Sequence, residues 1–232
     1  MNRDTPRGPI EDGTWPTTLE AHVVEPGPVR RIHGYAAVAD LARHYGSTEI
    51  SWLTYTGELP NAVQHQLYDL ALSLLAPAAI TCAASHAAVL TRLLAAPNAN
   101  VVAVAAMVCA EHANAEIVIH APWLAWCAAP TGEAPSEFLA GGDDDTASVV
   151  RERLVALGVE LPAVTRHTPT TTATALALLH ACGLHDPLRL TAVVVQAQLP
   201  CLIAEAERHT PRRLQHYPIE LPVFAYQEGE DD

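Results

Sequence analysis

The chain has 232 residues and carries 13 basic against 26 acidic side chains, a formal net charge of −13. That balance makes nucleic acid and anionic membrane surfaces poor partners. Every basic residue is an arginine, and the absence of lysine excludes Schiff-base catalysis and a P-loop lysine.

Half of the residues are apolar but only 5% are aromatic. Ala, Leu and Val dominate, which favours tightly packed helices over a strand-rich sandwich. The five cysteines (Cys82, Cys109, Cys127, Cys182, Cys201) are scattered and form no CxxC pair. They read as reduced, mostly buried thiols of a cytoplasmic protein. "MNRDTPRGPIEDGTWP" holds no apolar segment, and the longest apolar run, "VVAVAAMVCA", is too short to span a bilayer, so a soluble protein with no membrane partner is expected.

In chain order, residues 1–30 are rich in Pro, Gly and charge and predict an extended arm with a turn at "EPGP". "YAAVADLARHYG" predicts a short helix, with Tyr35, Val38 and Leu41 at three-residue spacing and Gly46 as its stop. Ser47 is placed as the cap of the next helix, closed by Gly57. Pro60 and Asn61 introduce a helix with an apolar stripe of Val63, Leu67, Leu70 and Leu74, ending before Pro77. A long helix over "AAITCAASHAAVLTRLLAA" follows, and Asn100 opens another that runs through "CAEHANAE" towards Trp126. Residues 128–147, with Pro, Gly and a triple Asp, are the clearest loop and the insertion point of the domain. Helices resume at "SVVRERLVALG", "TATALALLHACG" and "DPLRLTAVVVQAQLPCLIAEAERH", and residues 211–232 read as an extended acidic tail. The expected architecture is all-α: a helical domain over residues 31–210 between two extended arms.

Several groups carry chemistry, each with a plainer structural reading beside it. His112, Glu116 and His120 step by four and share a helix face. At about 1.5 Å rise per residue the outer pair lies ~12 Å apart, so one metal ion reaches only His112 with Glu116, or Glu116 with His120. No metal site is assigned on that basis. The threonine run 168–174 is either a hydroxyl-lined pocket wall or a helix cap, the cap being favoured. "HACGLHD" reads as a surface helix end and "GGDDD" as a solvated loop. Arg166, Arg212 and Arg213 are candidate carboxylate or phosphate contacts, with surface salt bridges as the alternative.

Taken together and in order, the segments resemble a known family. "RRIHGYAAVADLARHYGSTEISWLTYTGELP" is similar to the amino-terminal motif of citrate synthases, and "WPTTLE" to the opening of their short citryl-CoA lyase branch. "LTRLLAAPNANVVAVAAMVCAEHANAE" resembles the helix pair leading into the family's "GPLHGGANE", and "TATALALLHACGLHDPLRLTAVVVQAQLPCLIAEAER" the segment that holds its "GRIPG" helix. The resemblance covers most of residues 15–229 and implies a citrate-synthase-like helical bundle with a reduced or absent small domain.

It also implies a reaction, the making or breaking of a carbon–carbon bond between an acyl-CoA and a keto acid. In the family an aspartate deprotonates the acyl-CoA methyl, a first histidine hydrogen-bonds the enol oxygen and a second protonates the keto acid. Matched residue by residue, His112 takes the place of the first histidine, with "HGGA" become "HANA". Thr172 stands at the aspartate, Gln198 at the "GRIPG" arginine, and the second histidine has no match. About Cys82 falls where larger members place another histidine, and His86 lies one turn on.

The resemblance therefore assigns His112 as the catalytic candidate, and Thr172, His86, Arg166, Arg212 and Arg213 as substrate-binding candidates in a degenerate site. No bound cofactor is expected; a coenzyme A thioester is the implied substrate and an acyl-CoA or carboxylate the small-molecule ligand. Homodimerisation is implied, with a complete family member as a further partner. The expected protein is a diverged citryl-CoA lyase relative. Its alternatives are a non-catalytic, regulatory paralogue or an enzyme recruited to new chemistry.

Overall fold

The computed structural model describes residues 18–141 and 145–211. It is 65% helical, with one small three-stranded sheet among the described residues, as the composition predicts. The chain divides into two compact units between Asp69 and Leu70.

The first unit opens with strands β1 (Val24–Glu25), β2 (Arg31–Ile32) and β3 (Tyr35–Ala36), paired antiparallel in the order β1-β2-β3. Val24 faces Ile32 and Ile32 faces Tyr35. The "EPGP" segment joins β1 to β2. Between β2 and β3 only His33 and Gly34 intervene, both at positive φ (47° and 85°). This is the two-residue geometry that matches strand twist, and glycine adopts it without cost. Tyr35 and Ala36 therefore lie in a strand, not in the helix that their spacing suggested. The helical stretch begins with a π-turn over Ala37–Leu41 and runs into α1 (Ala42–His44). Leu41 is buried and Val38 exposed, so the expected apolar face is only half used.

Helix α2 (Ser47–Thr56) is capped by Gly46, one residue before the Ser47 cap that was expected. The Gly46 N–H donates to Glu49 Oε2 at 2.7 Å, the acidic half of a capping box. Gly57, at φ 85°, closes the helix by donating its N–H to the Leu53 carbonyl. Helix α3 (Ala62–Leu75) starts from a reciprocal pair: Gln64 N–H donates to Asn61 Oδ1 and Asn61 N–H to Gln64 Oε1. Its buried positions are Leu67, Tyr68, Ala71 and Leu75, a stripe rotated from the one expected. Tyr68 is the reason: its ring meets Trp52 edge-to-face, centroids 5.4 Å apart.

In the second unit, α4 spans Ala83–Leu93 and α5 Asn98–Ile119. Helix α4 is shorter than expected because Cys82 caps it, its sulfur accepting from the Ser85 N–H at 3.4 Å. Helix α5 begins two residues before Asn100 and breaks at His120, where Pro122 starts α6 (Ala121–Ala128). Helix α7 (Asp145–Leu157) reaches into the stretch assigned to loop. Helices α8 (Pro162–Thr165), α9 (Thr171–Ala181) and α10 (Pro187–Glu207) complete the unit.

Helix α9 is its centre, with every residue from Ala173 to Leu179 buried. Trp123 on α6, fully buried, donates its indole N–H to the Ala173 carbonyl at 2.8 Å and stacks on Trp126. Beside this lies a second cluster in which Ala84 and Ala88 of α4, Ala105 and Cys109 of α5, and Leu202 and Ala206 of α10 pack together. Small side chains let three helix axes approach closely there. Helices α5 and α10 are each long and apolar enough, by length and composition, to cross a bilayer, and only 22% of either window is buried within the chain.

All five cysteines are free. Burial pushes the Cys109 thiol up to about 11, with a smaller contribution from Cys82, and the Cys127 and Cys182 thiols up to about 12. An unfolded thiol ionises near 9.0 while these folded ones stay protonated. Their contribution to stability is thus complete below that value and is lost as pH climbs towards 11–12. Melting temperature should accordingly fall between about pH 8 and about pH 10, and less so in Cys182→Ala measured against its own neutral-pH value. For the core, Trp123→Ala is expected to cost about 3–5 kcal/mol in urea unfolding. Asp186→Ala, which removes the cap accepting from the Arg189 N–H, should cost only about 1 kcal/mol. Equal losses would show that Trp123 does not anchor α9.

Candidate functional site

The segment "CAEHANAE" has no helix breaker, and alanine is the strongest helix former. Helix α5 therefore runs uninterrupted through His112, where the family motif "GPLHGGANE" carries a proline and glycines. The buried stripe of α5 is Val101, Ala105, Cys109, Ala113 and Ile117. His112 lies next to that stripe and is exposed, with no hydrogen-bond or ion-pair partner among the described residues.

Beside it is a cleft of about 200 Å³. Helix α5 contributes His112 and Glu116, α9 contributes Thr172, and α10 contributes Gln198; Leu75, Leu176 and Val194 supply apolar walls. Three positions far apart in sequence thus meet in one place, each of which the resemblance had matched to a family functional group.

Their environments set what they can do. Thr172 stands in the first turn of α9, whose cap is Thr170; the Thr170 hydroxyl accepts from the Ala173 N–H at 3.3 Å. The threonine run thus both caps a helix and lines a cleft. The Gln198 side-chain oxygen accepts from the Cys109 thiol at 3.4 Å, which fits a thiol held protonated by burial. This leaves the Gln198 amide nitrogen without a partner among the described residues. The Glu116 carboxylate lies 3.6 Å from His120 Nδ1, and that same Nδ1–H donates to the Glu116 carbonyl at 2.8 Å. His120 is buried against Phe138, ring centroids 4.8 Å apart, so it holds the end of α5 and does not reach the cleft. No three His, Cys, Asp or Glu side chains converge as a metal-ligand set among the described residues.

Two further candidates, His86 and Arg166, do not join this cleft. His86 is exposed on α4, whose buried face is Ala84, Ser85, Ala88 and Val89. Arg166 is an exposed ion-pair partner of Glu160 at 3.6 Å, the salt-bridge alternative. Arg212 and Arg213 lie outside the described residues, as does most of "GGDDD". "HACGLHD" is a helix end: Gly183 sits at φ 97°, and the Leu184 N–H donates back to the Leu179 carbonyl. There the His180 and His185 rings lie 4.2 Å apart, and burial, then the neighbouring His185, lowers the pKa of His180.

A residue not singled out in the sequence supports the site from behind. Arg151 on α7 donates to the carbonyls of Val164 and His167 and to the Thr168 hydroxyl, at 2.8, 2.7 and 3.0 Å. It fixes the segment that leads into Thr172. An arginine inside the apolar pattern "SVVRERLVAL" was the available signal.

No known family profile and no curated protein matches the sequence. Solved structures do match. One is citryl-CoA lyase from Hydrogenobacter thermophilus, at a TM-score of 0.66 and 11% identity, over 92% of this chain and 96% of the lyase. Another is ATP citrate lyase from Methanothrix soehngenii in complex with citrate and coenzyme A, at a TM-score of 0.57 and 12% identity. That match covers 95% of this chain but 44% of the other, so the chain spans less than half of it. With the helical content and these likenesses together, the chain has the citrate-synthase-like fold of citryl-CoA lyase.

Proposed function

We propose that this protein is a diverged relative of the citryl-CoA lyases that binds a small acyl compound, a coenzyme A thioester, in the cleft beside His112 and no longer cleaves citryl-CoA at an enzymatic rate. The observation that carries this reading is the meeting of His112, Thr172 and Gln198 in one cleft with altered chemistry. A threonine hydroxyl is no general base near neutral pH without an activator. A glutamine amide is neutral and cannot hold a carboxylate as an arginine fork does. Glu116 adds negative charge to a lining that contains no arginine among the described residues. A tricarboxylate is therefore disfavoured, whereas the uncharged end of a thioester finds an imidazole, a hydroxyl and an amide to donate to its oxygen. The ATP citrate lyase of similar fold, solved with citrate and coenzyme A, makes both compounds the natural probes.

A second copy of the chain is part of the reading. Helix α5 leaves Met107, Val118 and Ile119 exposed, at 71%, 66% and 56%. Lipid is a poor cover for a helix that also carries Glu111, His112 and Glu116 along its length. A homodimer satisfies both observations, and a complete family member is the alternative partner.

Three outcomes are expected. Citryl-CoA incubated with the protein releases no oxaloacetate above the buffer rate, while acetyl-CoA raises the melting temperature saturably and His112→Ala abolishes that rise. Turnover of citryl-CoA that disappears in His112→Ala would instead make the protein a working lyase. Gln198→Arg supplies the missing cation and strengthens citrate binding by about tenfold in calorimetry; no change would remove Gln198 from the ligand site. Light scattering gives twice the chain mass, and Met107→Glu with Val118→Glu shifts it to the monomer; a monomeric parent protein would contradict the dimer.

A further inference from the structure

A second cleft, of about 250 Å³, opens where the end of α4, the start of α5 and the end of α10 meet. It is distinct from the His112 site, since Asn98 at its edge precedes His112 by fourteen residues, or ~21 Å along α5. Val101, Val102 and Ile203 give it an apolar wall; Arg92, Asn98 and Glu207 give it a polar rim.

The electrostatics of that rim are unfinished. Arg92 donates from Nη1 to Asn98 Oδ1 at 3.4 Å, and its Nε has no hydrogen-bond partner among the described residues. That Nε is closed off from the cleft, but Arg92 as a whole is only half-buried, so a ligand would meet the guanidinium through its Nη atoms. Arg92 makes no ion pair among the described residues, and neither does Glu207, although the two line the same cleft. Opposite charges that share a cleft without bridging leave room for a molecule carrying both complementary charges. Helix α5 also starts here without a side-chain cap, so its dipole reinforces the positive side.

We propose that this cleft binds a free α-amino acid with a branched aliphatic side chain. The carboxylate lies on Arg92, where a planar guanidinium suits it. The ammonium group lies on Glu207, and the side chain packs on Val101, Val102 and Ile203. Other chemistries fit less well. A dicarboxylate meets Glu207, a diamine meets Arg92, and a purely apolar molecule leaves both charges of the rim uncompensated. The volume falls below the roughly 300–1,000 Å³ of drug-sized sites, which suits one small metabolite.

The test is calorimetric titration of the full chain with leucine, isocaproate, isoamylamine and glycine. Leucine binds saturably at millimolar concentration or tighter. Isocaproate lacks the amine, isoamylamine the carboxylate and glycine the side chain, and each binds at least about tenfold more weakly. Arg92→Gln abolishes leucine binding. Glu207→Gln, at an exposed position that leaves the fold intact, reduces leucine to the affinity of isocaproate without weakening isocaproate itself. The proposal is overturned by absence of leucine binding, by isocaproate binding as tightly as leucine, or by Glu207→Gln leaving leucine affinity unchanged.

Discussion

The close packing of α4, α5 and α10 through small side chains is the constraint on which the second unit depends. Ala84, Ala88, Ala105, Cys109 and Ala206 leave little between the helix axes, so a larger residue at any of them would separate the three rods. Both clefts are by-products of this arrangement. One opens beside the middle of α5, where α9 and α10 diverge from it, and the other opens where three helix ends fail to cover one another. The packing that supplies stability thus also sets where ligands can enter.

The aromatic cluster does for α9 what the alanines do for α5. Trp123 grips the first turn of α9 through the Ala173 carbonyl, and Arg151 grips the segment just before it through two further carbonyls and a hydroxyl. Thr172 is thereby held from both sides on a helix with almost no exposed surface. A side chain positioned so firmly presents its hydroxyl at a fixed point of the cleft.

Much of this was legible in the sequence, and the boundary between legible and illegible follows the range of the forces involved. Gly57, Asn61, the threonine run and Asp186 announce helix ends because capping is settled within a few residues. The overall helical class follows from composition. The His33–Gly34 hairpin was hidden because Tyr35, Val38 and Leu41 have helical spacing, and only the register with β2 settles the matter. The stripe of α3 was misread because Tyr68, polar by its hydroxyl, buries its ring on Trp52. Of the site, the resemblance located His112, Thr172 and Gln198, but local pattern cannot show that they meet. Nor could it place Arg166 on Glu160, bury His120 behind Phe138, or reveal the orphaned Nε of Arg92. Each of those depends on how side chains pack in three dimensions and not on their spacing along the chain.

The unbroken course of α5 sets what kinds of change its cleft can absorb. Substitutions at positions 172 and 198 alter side chains that line it and leave the backbone in place. The backbone around His112 is different: a bend would require proline and glycine to enter a helix whose adjoining turns are held by the buried Cys109 and Ala113, at a cost in stability. The cleft is thus plastic in its side chains and rigid in its main chain, so new chemistry enters it by exchange of lining residues and not by rebuilding the backbone around the imidazole.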